Sequence, residues 1–176
     1  MVKRKQERDE NMENFKVVPA ATDSAVGEIA SLAEVIWHEH FTPIIGEAQV
    51  RYMVDKFQSF PALKEQIAGG YEYFQIFNND IFSGYIGIHE ENNELFLSKL
   101  YLAKESRGQH LATKAFDFLK NLCRERGLVK IWLTCNKYNT HTLDVYHHLG
   151  LSTTRTQVAD IGEGYVMDDY ILEYEI

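Results

Sequence analysis

The run Leu100-Tyr101-Leu102-Ala103-Lys104-Glu105-Ser106-Arg107-Gly108-Gln109-His110-Leu111-Ala112 passes from an apolar stretch through a polar loop into residues with helical spacing. A strand that feeds straight into a helix N-terminus makes an anion site. The first-turn amides lack intrahelical partners and the helix dipole adds positive potential, so a phosphate or pyrophosphate can accept several backbone hydrogen bonds there. Arg107 would add a guanidinium, and Gly108 lets the backbone turn tightly. The other chemically capable side chains are less telling. His38 and His40 flank Glu39 at the end of a helix, but residues two apart on a helix diverge and no third ligand is indicated, so no metal site is expected. His141 and His148 share a helix face seven residues apart and read as solvated. Cys123 falls on an apolar helical stripe and Cys135 at a strand end, which suits buried, inert thiols.

These groups need a scaffold, and the periodicities supply one. Phe15 to Val18 reads as a short strand ended by Pro19. Thr22 and Asp23 are N-cap candidates for a helix carrying Val26, Ile29, Ala30, Ala33, Ile36 and Trp37, which Thr42-Pro43 is expected to break. A second helix holds Val50, Met53, Val54 and Phe57 on one face, and a third short piece stops at Gly69-Gly70. Three strands follow, Tyr71 to Phe77, Ile81 to His89 and Glu94 to Leu102, joined by Asn-rich turns into an antiparallel meander. The aromatic residues of the first of these, Tyr71, Tyr73, Phe74 and Phe77, are expected to pack in the core, with the lining of an acceptor groove as the alternative. A helix from Leu111 to near Gly127, a strand Lys130 to Cys135, a helix from Thr142 to Leu149 and two strands, near Ser152 to Ala159 and Tyr165 to Tyr174, complete the chain. The strand-helix-strand crossover makes the strands at Glu94 and Lys130 parallel. The expectation is one α/β domain, a mixed sheet with helices on its faces.

A second segment bears on function: Asn139-Thr140-His141-Thr142-Leu143-Asp144-Val145-Tyr146-His147-His148-Leu149-Gly150-Leu151. With Arg107-Gly108-Gln109-His110-Leu111-Ala112, it resembles the GNAT superfamily of acetyl-CoA-dependent N-acetyltransferases, whose loop reads Arg/Gln-x-x-Gly-x-Gly/Ala and whose later helix reads Asn-x-x-Ala-x-x-x-Tyr-x-x-x-Gly-Phe. His110 stands where that family usually has its central glycine, Thr142 replaces an alanine and Leu151 a phenylalanine. His148 falls where a Lys or Arg often points to the cofactor. The resemblance implies a sheet splayed between its fourth and fifth strands, with the pantetheine arm of acetyl-CoA inserted as a pseudo-strand against the backbone of Leu100 and Leu102. It also implies that Arg107, Gly108, Gln109, His110, Leu111, Ala112, Asn139 and His148 contact the cofactor, and that an amide near Leu102 faces the thioester carbonyl, where a preorganised donor stabilises developing negative charge.

Acetyl transfer to an amine needs a neutral amine, a polarised carbonyl and a proton for the departing thiolate. Tyr146 is assigned the last task on the resemblance, since a phenol of ordinary pKa about 10 is protonated at neutral pH. Glu94, near where some family members place a glutamate, is the candidate base, with a water relay as the alternative. His38 and His40 lie where this family builds its acceptor site. The implied reaction is direct attack of a small amine, polyamine or protein amine on the thioester; a catalytically silent acyl-CoA-binding module is the alternative.

Composition agrees with a single packed domain. The chain has 176 residues, 45% hydrophobic and 25% charged, and 18 Lys+Arg against 26 Asp+Glu give a formal charge of −8. Phosphate backbones and anionic membranes are therefore poor partners, whereas a cationic substrate is tolerated. Residues 1–14 mix both charges with almost nothing apolar to bury and read as a disordered tail, with Met12 a second candidate start. The remainder, residues 15–176, is the acetyltransferase domain. No membrane-length apolar run or signal-peptide pattern occurs, and two cysteines make no disulfide framework, so a cytoplasmic location is expected. The two C-terminal strands can pair between copies, which leaves a homodimer open.

Overall fold

A computed structural model describes residues 14–176. The tail read over residues 1–14 and the question of Met12 lie outside the described residues, apart from Asn14, whose carbonyl accepts the Asn79 N–H at 2.9 Å. The strands are β1 (Phe15–Pro19), β2 (Glu72–Asn78), β3 (Ile81–Glu91), β4 (Glu94–Leu102), β5 (Lys130–Asn136), β6 (Ser152–Gly162) and β7 (Tyr165–Glu175). They form one sheet in the order β1-β2-β3-β4-β5-β7-β6. Helices α1 (Asp23–Ile45), α2 (Glu47–Met53) and α3 (Phe60–Ala68) cover one face, and α4 (Leu111–Arg126) and α5 (Thr140–His148) cover the other. The Thr22 side chain caps α1 by accepting the Ala25 N–H. Among the described residues no helix is long and apolar enough to cross a membrane.

Two departures from the sequence reading have simple causes. Pro43 does not break α1, which runs on to Ile45. A proline in a last turn deletes one backbone bond, Thr42 Oγ1 donates to the His38 carbonyl at 2.5 Å, and the helix stops only where Gly46 takes φ 85°. The two C-terminal strands are also not equally open to a second copy: β7 pairs with β5 on one side and β6 on the other, so of the two only β6 is a sheet edge. β7 is thus closed to pairing with another copy.

The feature that positions the site lies in β4. Gly87 pairs with Lys99 and Ile88 with Leu97, so Ser98 is an extra residue, a β-bulge. Strict alternation would put Leu97 and Lys99 on one face. With the bulge, Leu95, Leu97, Leu100 and Leu102 all join the α4/α5 core, and Tyr101 joins the aromatic cluster under α1 with Trp37, Phe41 and Tyr85. Lys99 therefore shares the α1 side. At the same point β4 leaves β5: their parallel pairing is limited to Glu94 with Lys130, Leu95 with Ile131 and Phe96 with Trp132.

Candidate functional site

Beyond Phe96 the two central strands diverge, and a cavity of about 1320 Å³ fills the opening. One wall is the β4-to-α4 connection. Gly108 has φ +76°, and a Cβ added there would meet nothing within 4 Å, so glycine serves the backbone conformation and the loop faces open space. His110, the N-cap of α4, is itself left-handed (φ 58°, ψ 22°) and makes no side-chain cap bond. The glycine-favouring conformation is thus kept by a histidine, and the first-turn amides of α4 stay uncapped by that side chain.

Most of the residues singled out from sequence meet at this cavity. Leu100, Leu102, Arg107, Gly108, His110, Leu111 and Ala112 line it from one side, and Asn139, Tyr146 and His148 from α5 and its approach. Burial pushes the Tyr146 phenol above its ordinary range, with Cys135 a smaller contributor, so it is protonated at neutral pH. Arg107 Nε donates to the Leu102 carbonyl at 3.1 Å, which holds the guanidinium stem against the strand. His40 also lines the cavity, its Nε2 lying 3.0 Å from Asn139 Oδ1, and this contact ties α1 to the start of α5.

Other candidates are elsewhere. Gln109 is directed away, bonded to Asn78 and to the Glu105 carbonyl. Glu94 sits at the closed end of the β4–β5 pairing, 3.6 Å from Lys130, and is not part of the cavity wall. His38 is not in the wall either. Both thiols are buried; desolvation pushes Cys135, which touches the cavity, up to about 12 and Cys123 up to about 11, so neither is a thiolate at neutral pH. Among the described residues no group of His, Cys, Asp and Glu is arranged for a metal.

Two buried ionisable groups in the cavity wall are additions to the sequence reading. Lys99, 5% exposed, donates to Gln66 Oε1 at 2.7 Å and to the Tyr73 hydroxyl at 2.5 Å, with the Tyr71 and Tyr73 rings 5.8 and 5.1 Å from its nitrogen. Desolvation lowers its pKa to about 7. Tyr73, read as core, is buried but bonded to this lysine, and Tyr71 lines the cavity, whereas Phe74 is core as expected. Asp169, also 5% exposed, has an Oδ1 with no hydrogen-bond partner. Burial pushes its carboxyl up to about 6, Asp168 adding to the rise and Lys137 opposing it. The signal for Asp169 was visible as two carboxylates inside the apolar run Tyr165 to Tyr174; Lys99 was hidden because alternation miscounts faces across a bulge.

A comparison with curated protein sequences gave no match. Solved structures match the fold over almost the whole chain. The PaiA N-acetyltransferase of Thermoplasma acidophilum, determined in complex with coenzyme A, superposes with a TM-score of 0.77 at 15% identity, covering 92% of this chain and 99% of that one. Spermidine N-acetyltransferase of Vibrio cholerae, in complex with CoA and spermine, gives 0.67 at 14% identity, with 93% and 96% covered. RimL, a ribosomal L7/L12 α-N-protein acetyltransferase, gives 0.67 at 13% identity, with 93% and 94% covered. Those likenesses speak to the fold. In sequence, the profile described as the acetyltransferase (GNAT) family matches residues 30–151, and with that match the chain belongs to the GNAT acetyltransferase family.

Proposed function

We propose that this protein transfers the acetyl group of acetyl-CoA to a primary amine by direct attack, with no covalent enzyme intermediate. One observation carries the reading: past Phe96 the β4 backbone, paired with β3 on one side, has no strand partner on the β5 side and runs directly into a loop and helix start that line the same cavity as Tyr146. The residues fit the co-substrate. A strand side left open toward β5 suits the amides of a pantetheine arm, and the amides from Gly108 to Ala112, with Arg107, suit its diphosphate. Bound acetyl-CoA supplies an activated thioester carbonyl. Leu100 and Leu102 would hold the arm in register, a backbone amide near Leu102 would polarise the carbonyl, and the Tyr146 hydroxyl would donate its proton to the departing sulfur. The CoA found with several solved relatives supports the same reading.

Glu94 is not retained as the base, because its place at the closed end of the strand pair separates it from the cavity wall. The test is calorimetric titration with acetyl-CoA, then turnover on a panel of primary amines by the parent and by Tyr146→Phe. The parent should bind and turn over, and the variant should lose at least about a hundredfold in kcat while CoA affinity changes less than about threefold. Tight binding by a parent that acetylates nothing would favour the acyl-CoA-binding module, and absence of binding would remove both readings.

A further inference from the structure

Opposite the cofactor loop, the cavity wall is made by α1, α2, the segment from Phe57 to Gln66 and the β6–β7 hairpin, and Trp37, Phe41, Met53 and Phe57 give it much of its bulk, beside uncharged polar side chains such as Gln58 and Gln157. Histidines aside, the charged side chains lining the whole cavity are Lys99, Arg107, Asp144 and Asp169. Arg107 belongs to the loop and Asp144 is an exposed residue of α5. The buried charges are then one carboxylate and one amine. Asp169 is bordered by Tyr101 of β4, Cys135 of β5 and its own neighbour Asp168, which Lys137 neutralises at 2.6 Å; Lys137 is thus taken by the adjacent carboxylate. The Asp169 Oδ1 has no donor at all. A buried carboxylate oxygen without a donor is costly, and a ligand ammonium offers what the fold withholds.

Lys99 presents the opposite deficit. Its partners are Gln66, Tyr73 and, at 3.4 Å, Ser98, all neutral, and no carboxylate pairs with it among the described residues. A site for a diamine or polyamine requires a second acceptor of positive charge, whereas the second buried charge here repels one. A carboxylate, by contrast, would keep the Lys99 ammonium charged inside the protein.

We propose that the acceptor is an amino carboxylate, its ammonium held and deprotonated by Asp169 and its carboxylate held by Lys99. The inference rests on the acetyl-transfer reading above. The ammonium gives one proton to the Asp169 carboxylate, which returns it to solvent after turnover. The freed nitrogen lone pair forms the N–C bond to the acetyl carbon, the C–S bond breaks, its electron pair leaves on sulfur and takes the Tyr146 proton, and the second proton of the attacking nitrogen, released as the amide forms, restores the Tyr146 hydroxyl.

The experiment compares γ-aminobutyrate, putrescine and n-butylamine, three acceptors on one four-carbon chain, together with leucine as an α-amino acid. In the parent, one of the two amino acids should exceed both putrescine and n-butylamine by at least about tenfold in kcat/KM, and which of them leads reports whether the two charges are bridged by a short or a long spacer. Lys99→Met, with Lys99→Gln as a second variant in case one fails to fold, should bring that ratio to within about threefold, losing the amino acid and gaining putrescine. Asp169→Asn should lower kcat/KM for every amine by at least about fiftyfold with CoA affinity unchanged by calorimetry. Putrescine or n-butylamine matching the amino acids in the parent, or a ratio untouched by both Lys99 variants, would overturn the acceptor class and leave acetyl transfer standing. Acetyl-CoA binding without transfer to any of the four amines would overturn both.

Discussion

At the scale of the residue, Lys99 and Asp169 make the cavity pH-sensitive in ways that separate cleanly. The ordinary lysine value is 10.5 and desolvation brings Lys99 to about 7 in the folded chain. Between those values the unfolded chain holds a proton that the folded chain has released, so folding stability rises with pH through the window and the penalty is fully present below it. Lys99→Met removes this dependence. In urea denaturation, the parent should gain stability on the variant between about pH 7 and about pH 9, with a slope no steeper than about 1.4 kcal/mol per unit, and the variant should be the more stable protein at the lower end. The hydrogen bonds lost to Gln66 and Tyr73 offset the two curves but do not tilt them, so parallel curves would mean that Lys99 is charged in the fold. Asp169 works in the opposite sense on activity. Its carboxyl is pushed up to about 6, so the form able to accept a proton is depleted below that pH, and kcat/KM should fall there in the parent while the residual activity of Asp169→Asn shows no such limb.

At the scale of the element, the site depends on how β4 is pinned against β3. A Cβ at Gly84 would lie 2.4 Å from the Tyr101 carbonyl oxygen and 2.8 Å from Leu102 Cδ2, and the first of these is backbone that cannot step aside without moving the strand. Gly84→Ala should therefore cost about 2 kcal/mol or more in denaturant unfolding and, on the proposed binding mode, weaken CoA binding, because the displaced Tyr101–Leu102 segment is the one proposed to hold the pantetheine arm. Gly108→Ala is a different kind of lesion. It meets no atom within 4 Å, so its cost is the left-handed backbone alone, about 1–2 kcal/mol, and a substitution with no measurable effect on either stability or CoA affinity would show that the loop can be rebuilt.

Elements are also where sequence legibility ended. The limits of β4 were read at Glu94 and Leu102, as observed, because the alternation and the Asn-rich turn are local signals. The bulge at Ser98 is set by the register with β3, a tertiary property, and it decides that Lys99 faces the α1 side. Pro43 stays inside α1 for a related reason: proline excludes a hydrogen bond at one position, but whether a helix ends there depends on how little helix remains. That Tyr146 and the Arg107-to-Ala112 segment meet at one cavity was legible because contiguous residues in a strand-loop-helix order stay together, whereas the opposite wall collects side chains from α1, α2, α3, β4 and β7 that no spacing links.

At the scale of the whole molecule, the sheet is two ladders joined by a short seam. β1 to β4 form one antiparallel block and β5, β7 and β6 another, and the backbone pairing between them is confined to three positions at one end of β4 and β5. Side-chain packing under α4, through Phe116, Leu119 and Cys123, carries much of the remaining connection on one face. A ligand seated in the opening adds hydrogen bonds where the seam has none, so it acts on the coupling between the blocks as well as on local order. CoA at a hundredfold excess over its Kd should raise the free energy of unfolding by about 2.7 kcal/mol. Its distribution is the more discriminating measurement. Hydrogen exchange should slow most in the segment from Leu97 to Leu102 and in the first turn of α4, and least across the β2–β3 pairing, which is fully bonded without ligand. Uniform slowing over the sheet would mean that the ligand stabilises the fold only by mass action, and protection confined to the loop would mean that the arm does not lie along β4.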